Sequence, residues 1–500
     1  KLGILLSYVN ITLHAVIGFL YVPILLHYIG KNEYGLYQLI GSLIAYFSIM
    51  DFGLTAAVIR FYTKYKVLDD KQGMENILAI SLRGYGIVTC LALLIGGICY
   101  LFLDTAFGNS MTAAELMEAK DMFTLLLFNI AITLSTMIFR AVINAHERFF
   151  FLKGLETLQL ILQPVLVVLV LQRHPSAFSV AAVQTGINIF LIISRIYYCF
   201  FRLHIRIKYH YWNSELFHSF KRLALSVFAV SLIDQVFWKT NQVILGIVSG
   251  TAAVAVYSIA SLIYMNYMAL STAISGVYLP HVTEIVAKKE PIQKLSDLFI
   301  QIGRWQYYLL ALVATGFIIF GKQFIQIWAG RGFEDAYWIT ILIILPFTID
   351  LIQNIGLAIL QAVNQYTFRA RIYFCVGVLN LCLAVPLGIY YGGIGCAIAT
   401  AVAMILGNGL AMNWFYAKQI HLDIRRFWNE MLHISITVGL CLMIGYIGNL
   451  ILSSNSFIIF ISKILAYTII YIAGIYCFSM SNDEKNKVRN GFKRIYKRKS

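Results

Sequence analysis

Charge is what this sequence has least of. Only 12% of its 500 residues are charged, against 60% that are apolar. A soluble domain carries about 25% charged and roughly 45–50% apolar residues, and its core stops growing near ~250–300 residues. A soluble fold could not cover this much apolar surface, so the chain is solvated by lipid. Proline is scarce as well, at seven residues, which leaves no room for a proline-rich linker. None of the eight cysteines (90, 99, 199, 375, 382, 396, 441, 477) forms a CxxC pair, and all fall in apolar stretches. They read as small hydrophobes rather than disulfides or metal ligands. No HExxH zinc site and no nucleophile elbow is present, so no metal, cofactor or enzymatic activity is expected. The segment 316–323 nearly spells a phosphate loop, but Gln323 stands where Ser or Thr is required, and it ends a helix instead of following a strand. Asn10-Ile11-Thr12 matches a glycosylation sequon but lies inside a helical run.

What the sequence has in abundance is apolar runs long enough to cross ~30 Å of hydrocarbon, each about 20 residues. Fourteen are expected, near 3–29, 34–59, 84–103, 121–144, 154–171, 177–200, 223–248, 252–279, 299–320, 336–361, 372–390, 394–416, 431–452 and 457–479. The first is too long for the ~7–15-residue apolar region of a signal peptide and has no A-x-A site, so it reads as a span. Tight hairpins are expected at Lys31-Asn32-Glu33 and Tyr391-Gly392-Gly393. The runs do not alternate, which excludes a β-barrel.

Charge tests the count. If the segments between spans face the two sides in turn, the cytoplasmic ones collect Lys and Arg. The even-numbered loops and the two ends hold 32 of the 39 basic residues; the odd loops hold five, Lys31, Lys120, Arg173, Lys322 and Arg331. A missed span would scramble that split, so both ends are expected in the cytoplasm. The net charge of +16 then belongs to one membrane face, with the tail 485–499 against anionic headgroups, and nucleic acid is not expected as a partner.

Organisation follows from a weak internal echo. Tyr37-Gln38-Leu39-Ile40-Gly41-Ser42-Leu43-Ile44 is similar to Tyr257-Ser258-Ile259-Ala260-Ser261-Leu262-Ile263, at an offset of 220 residues. The expected division is a six-helix lobe at 1–205, a cytoplasmic loop at 206–222, a second six-helix lobe at 223–418, two further helices at 419–480 and a basic tail at 481–500.

Polar side chains inside the spans carry the functional reading, because lipid cannot solvate them. At about 100° per residue, Ser7, Asn10, His14 and Tyr21 share one face of the first span. Asn129, Thr133, Thr136, Arg140 and Asn144 share a face of the fourth; Glu156, Gln159 and Gln163 of the fifth; Gln184, Asn188 and Arg195 of the sixth. Tyr257, Ser261, Tyr264, Ser271 and Ser275 align in the eighth, and Asp350, Gln353, Asn354, Gln361 and Asn364 in the tenth. In the seventh, Asp234, Gln235, Trp238, Lys239, Asn241 and Gln242 cover an arc of roughly 160°, wide enough for a cavity wall. Such stripes also serve as glue between helices. Lys239 stands out, since an ammonium near mid-membrane costs at least ~2.5 kcal/mol. Arg60, Arg140 and Arg195 sit near cytoplasmic ends, where snorkelling also explains them, as it does Lys463 near the outer face. Asp234, Asp51 and Asp350 are the ion-coupling candidates, Asp51 equally a cap to a helix break.

The stretch Tyr28-Ile29-Gly30, Tyr34-Gly35-Leu36-Tyr37, Asp51-Phe52-Gly53-Leu54 and Arg60 resembles the opening of bacterial polysaccharide-repeat-unit flippases. So do Asn241-Gln242-Val243-Ile244-Leu245-Gly246, Val256-Tyr257-Ser258-Ile259-Ala260, Leu279-Pro280, Ile327-Trp328-Ala329-Gly330 and Gly392-Gly393-Ile394-Gly395-Cys396-Ala397. That family is the polysaccharide transporter branch of the multidrug/oligosaccharidyl-lipid/polysaccharide exporter superfamily, and the likeness spans about 5–480. It implies an all-α integral membrane fold, with two six-helix lobes around a cavity open to each face in turn. It implies a polyprenyl-pyrophosphate oligosaccharide flipped to the outer leaflet of a bacterial inner membrane for capsule, exopolysaccharide or O-antigen assembly, with a polysaccharide polymerase as a further partner. Members often carry an acidic residue where Asn241 stands. Lys239 and Arg60 would meet the pyrophosphate; His14, Arg140 and Gln242 the polar head; Trp238, Tyr257 and Tyr264 the sugar faces. The alternatives are a multidrug cation exporter, which would want an anionic cavity; a lipid II flippase; and a membrane polysaccharide polymerase, which would want a large catalytic outer loop.

Overall fold

A computed structural model describes residues 2–51, 53–211, 214–451, 456–487 and 489, with backbone alone for 2–12, 14, 15, 214–230 and 366. Every regular element among the described residues is helical. In chain order these are α1 (Leu2–Phe47), α2 (Leu54–Val67), α3 (Lys71–Phe107), α4 (Ala113–Ala145), α5 (Phe149–Leu171), α6 (Ala177–Tyr197), α7 (Ser214–Ser275) and α8 (Leu279–Ala287). They continue with α9 (Ile292–Trp328), α10 (Asp335–Leu351), α11 (Ile355–Ala362), α12 (Tyr366–Met404), α13 (Met412–Lys418), α14 (Ile424–Ile451) and α15 (Phe457–Gly474). In lipid only a closed set of backbone hydrogen bonds is tolerable, and helices provide it within each segment.

Among the described residues ten helical stretches are long and apolar enough to cross a membrane, and three of them run for 52, 57 and 52 residues. A 52-residue helix would be about 78 Å long, more than twice the hydrocarbon thickness. Each of the three is broken at a glycine: Gly30 (φ 75°, ψ −178°), Gly250 (φ 79°, ψ −176°) and Gly392 (φ 55°, ψ −135°). These left-handed conformations favour glycine strongly, and the first two lie where almost no other residue goes. The chain reverses there. Asn241 donates to the Tyr257 hydroxyl at 2.8 Å although 16 residues separate them, a span of about 24 Å in a straight helix. A Cβ on Gly395 would stand 1.9 Å from the Leu387 carbonyl oxygen, across the turn at Gly392. Tyr21 and Tyr37 likewise lie near one another across the break at Gly30. Seven unbroken helices, three that count twice and the bent pair Asp335–Leu351 with Ile355–Ala362 give the fourteen expected spans.

The 34–59 run is itself interrupted. A 3-10 turn, Ser48–Asp51, and Gly53 at φ 68° separate α1 from α2. Asp51 serves the restarted helix, accepting from the Thr55 amide at 3.3 Å, its hydroxyl at 2.8 Å and the Tyr85 hydroxyl at 3.1 Å. Elsewhere starts are capped as the sequence directs. Thr112 and Glu115 form a reciprocal capping box on α4, Asp70 caps α3 and Ser176 caps α6.

Packing divides the chain into two compact units, residues 1–258 with 381–396, and residues 259–380 with 397–500. Inside the first unit a Cβ on Gly35 would stand 1.9 Å from the Thr251 carbonyl oxygen, so the turn at Gly250 seats directly on α1. In the second unit α9 packs against both α14 and α10.

Candidate functional site

Within the first unit a cavity of about 290 Å³ opens between α1, α4, α6 and α7. From α1 it is lined by Tyr37, Gln38, Gly41 and Ser42, with Ile44 and Ala45, and from the 3-10 turn after it by Ser48. These residues fall on one side of a helix, within roughly 160°. From α4 come Leu126, Asn129, Ile130 and Thr133, from α6 Gln184, and from α7 Lys239. Lys239 is the one charged residue among those described as lining it, and no carboxylate faces it across the space.

Hydrogen bonds hold the walls. The Tyr37 hydroxyl donates to Gln184 Oε1 at 2.8 Å, and Asn188 donates to Asn129 Oδ1 at 2.6 Å and Thr133 Oγ1 at 2.7 Å. The α1 to α7 seam is closed by Ser42 with Gln242 and by Tyr46 with Thr240 at 2.5 Å. Gln242 also donates to Ser258 at 3.0 Å. A cation held among hydroxyls and amides, with no competing acid, suits a phosphate next to sugar hydroxyls.

The residues singled out in the sequence are distributed unevenly around this space. Lys239 lines it, and Gln242 stands behind its α1 wall. Tyr257 is buried against Asn241, and Tyr264 is buried with its hydroxyl 2.9 Å from that of Ser261. Trp238 lies half-buried, edge-on to Phe237, and Asp234 is half-buried one turn before it. Arg140 is paired with Glu156 at 3.1 Å, and Arg60 is exposed beside the Phe61 ring. Asp350 stands in the second unit beside Arg369 and Asn408. The side chain of His14 lies outside the described residues, as does the tail beyond 489.

The sequence shows Gln38 and Ser42 within the repeat and Tyr37 in both the repeat and the family resemblance, and nothing there singles out Ser48. Their common face was the available signal.

At the hairpin tips of the same unit three carboxylates gather. Glu33 accepts from the Ala177 amide at 2.8 Å and Glu118 from the Phe178 amide at 3.0 Å, so both cap α6. Glu115 accepts from the Thr251 hydroxyl at 2.9 Å. Burial, and then the Glu118 and Glu115 carboxyls, push Glu33 up to about 7 against the Ala177 amide, which favours its charge.

Known proteins match this chain over most of its length. A putative O-antigen transporter from Shigella flexneri is 21% identical over 413 residues, 78% of this chain and 91% of that protein. Among solved structures, the lipid II flippase MurJ in an inward closed conformation superposes with a TM-score of 0.74 at 18% identity, covering 95% of this chain and 98% of that one. An inward-facing multidrug resistance MATE family transporter of the MOP superfamily gives 0.64 at 12% identity, over 85% and 99%. Those likenesses establish the fold. The family model described as "Polysaccharide biosynthesis protein" matches residues 3–286, more than half of the chain, and the chain is a multi-pass membrane protein of that family.

Proposed function

We propose that the protein flips an oligosaccharide carried on polyprenyl pyrophosphate from the cytoplasmic to the outer leaflet of a bacterial inner membrane, for capsule, exopolysaccharide or O-antigen assembly. The observation that carries this reading is the cavity of the first unit, where Lys239 stands alone among amides and hydroxyls. A pyrophosphate needs a cation, sugars need hydroxyl and amide partners, and both needs are met inside a chain that lipid solvates. The family and the transporter folds support it. The same cavity speaks against a multidrug cation exporter, which would want an anionic wall.

In this reading both ends are cytoplasmic, the two six-helix lobes meet at the 206–222 loop, and 419–480 adds two helices. The lobes rock around a midplane site, as internal repeats allow. Arg60 and Arg140, near the cytoplasmic ends, guide the pyrophosphate inward, and a polymerase takes the product outside.

The test is reconstitution in vesicles with a polyprenyl-pyrophosphate sugar, following its appearance on the far leaflet. Lys239→Ala should slow appearance at least tenfold, corresponding to a loss of about 1.4 kcal/mol or more, with insertion and melting unchanged. Lys239→Arg should keep part of the rate. An Ala variant as fast as the parent removes Lys239 from the mechanism.

A further inference from the structure

A second space lies in the same unit and is nearly devoid of polar groups. It is a groove of about 360 Å³ between α1, α3, α4 and α7, whose fourteen lining residues include Phe47, Met50, Phe102, Phe107, Val243 and Ile247. Only the Tyr46 hydroxyl and the Cys99 thiol are polar among them. It opens through Ile98 and Phe102, which are 48% and 62% exposed on a helix that lipid must solvate.

Its relation to the polar cavity is what gives it meaning. On α1 and the 3-10 turn after it, Leu43, Tyr46, Phe47 and Met50 line the groove, while Gln38, Gly41, Ser42 and Ser48 line the cavity. At about 100° per residue the two sets occupy opposite faces of one helix. On α7, Lys239 belongs to the cavity and Val243 and Ile247, one and two turns on, to the groove. On α4, Leu126 belongs to the cavity and Phe123 to the groove. Three shared helices thus present a cationic, hydroxyl-lined space and a dry one side by side. At the 3-10 turn they are two residues apart, Ser48 on one side and Met50 on the other.

We propose that the groove binds the isoprenoid chain of the same lipid-linked sugar whose head the polar cavity takes. The proposal rests on the flippase reading and adds the seat of the tail. Its occupant must be amphipathic, because head and tail sites share their walls. It must also reach the groove from the bilayer, because the mouth is lipid-facing. Hydrocarbon already surrounds the protein, so moving a chain into the groove yields little from the hydrophobic effect. What the groove contributes is close packing, and a stiff, methyl-branched chain exploits a fixed groove better than a flexible acyl chain does. Tail seating would hold the pyrophosphate in register with Lys239 while the head crosses.

The experiment places a benzophenone amino acid at Ile98 and reconstitutes the full chain in phosphatidylcholine vesicles with two probes. These are an acetylglucosamine pyrophosphate carried on a long, C55 polyprenol and one carried on a short, C15 chain. The groove is supported if light attaches the C55 probe at Ile98 and excess C55 polyprenyl phosphate, which has no sugar, suppresses the adduct. Filling the groove with Ala106→Trp should lower the ratio of C55 to C15 transport about tenfold. The proposal is overturned if only phosphatidylcholine is attached whatever probe is added, or if Ala106→Trp slows both probes alike. Transport of both probes without any adduct removes the groove and leaves the flippase. An adduct with the C55 probe while neither probe crosses removes the flippase and leaves a polyprenyl site.

Discussion

Lys239 and Arg304 are cations of the two packing units, and the protein treats them in opposite ways. Arg304, on α9, is 9% exposed and has every side of its guanidinium occupied. It donates to Glu484 at 2.9 and 2.8 Å, to the Tyr308 hydroxyl at 2.7 Å, to the Ser479 carbonyl at 2.7 Å, and to Glu430. That set ties α9 to α14 and to the segment after α15. Lys239 faces an open space with no acid among the described residues of its walls. A charge at membrane depth is tolerable when fully paired or when it meets a ligand; Arg304 shows the first solution, and the proposed function assigns the second to Lys239.

The comparison breaks most sharply on transport. Lys239→Ala should abolish most flipping at unchanged melting temperature, whereas a Lys239 variant that melts early would make the lysine structural. Arg304→Ala should do the reverse, costing about 3–5 kcal/mol because it leaves Glu484 buried and unpaired. A thermal melt in detergent reads it, and an unshifted transition would demote the Arg304 cluster to ornament. Gly35→Leu should also destabilise, since even a Cβ there would stand 1.9 Å from the Thr251 carbonyl and backbone must yield; loss of the Asn241–Tyr257 hairpin contact by crosslinking is the readout.

A third treatment of charge sharpens the contrast. Glu33 is neither paired with a cation nor offered to a ligand, and its carboxyl is pushed up to about 7. A raised acid stabilises the closed hairpin contacts fully below the unfolded value, near ~4.5, and loses that contribution as pH rises through about 7. Melting temperature should therefore fall between those pH values, and Glu33→Gln should flatten the fall. A slope that survives the substitution removes Glu33 as its source. The smallest effect belongs to Asp51→Asn, expected to cost about 1 kcal/mol as a weakened helix start, with transport retained. If that variant loses its response to an ion gradient while staying folded, Asp51 belongs with the coupling groups.

The spans were legible because crossing hydrocarbon demands long apolar runs. The hairpins at Lys31-Asn32-Glu33 and Tyr391-Gly392-Gly393 were legible too, since polar residues and glycine interrupt otherwise continuous runs. What a polar stripe faces was not legible. Asn241, Gln242 and Tyr257 share helix faces with Lys239 and Tyr264, yet they bond across the Gly250 hairpin and to α1. Periodicity assigns a residue to a side of its helix, whereas whether that side meets a cavity or a neighbour depends on contacts distant in sequence. Arg304 shows the same gap, counted in the sequence as one more cytoplasmic charge and found locked to Glu484, 180 residues away.

The glycine breaks carry one further consequence. Gly30 and Gly250 hold nearly identical backbone angles at the same 220-residue offset as the sequence echo, and Tyr21 and Tyr37 occupy the positions that match Asn241 and Tyr257. Side chains around the two turns have drifted apart, yet the torsions agree within a few degrees. The repeat that the letters only hint at is thus plainer in the torsions than in the side chains.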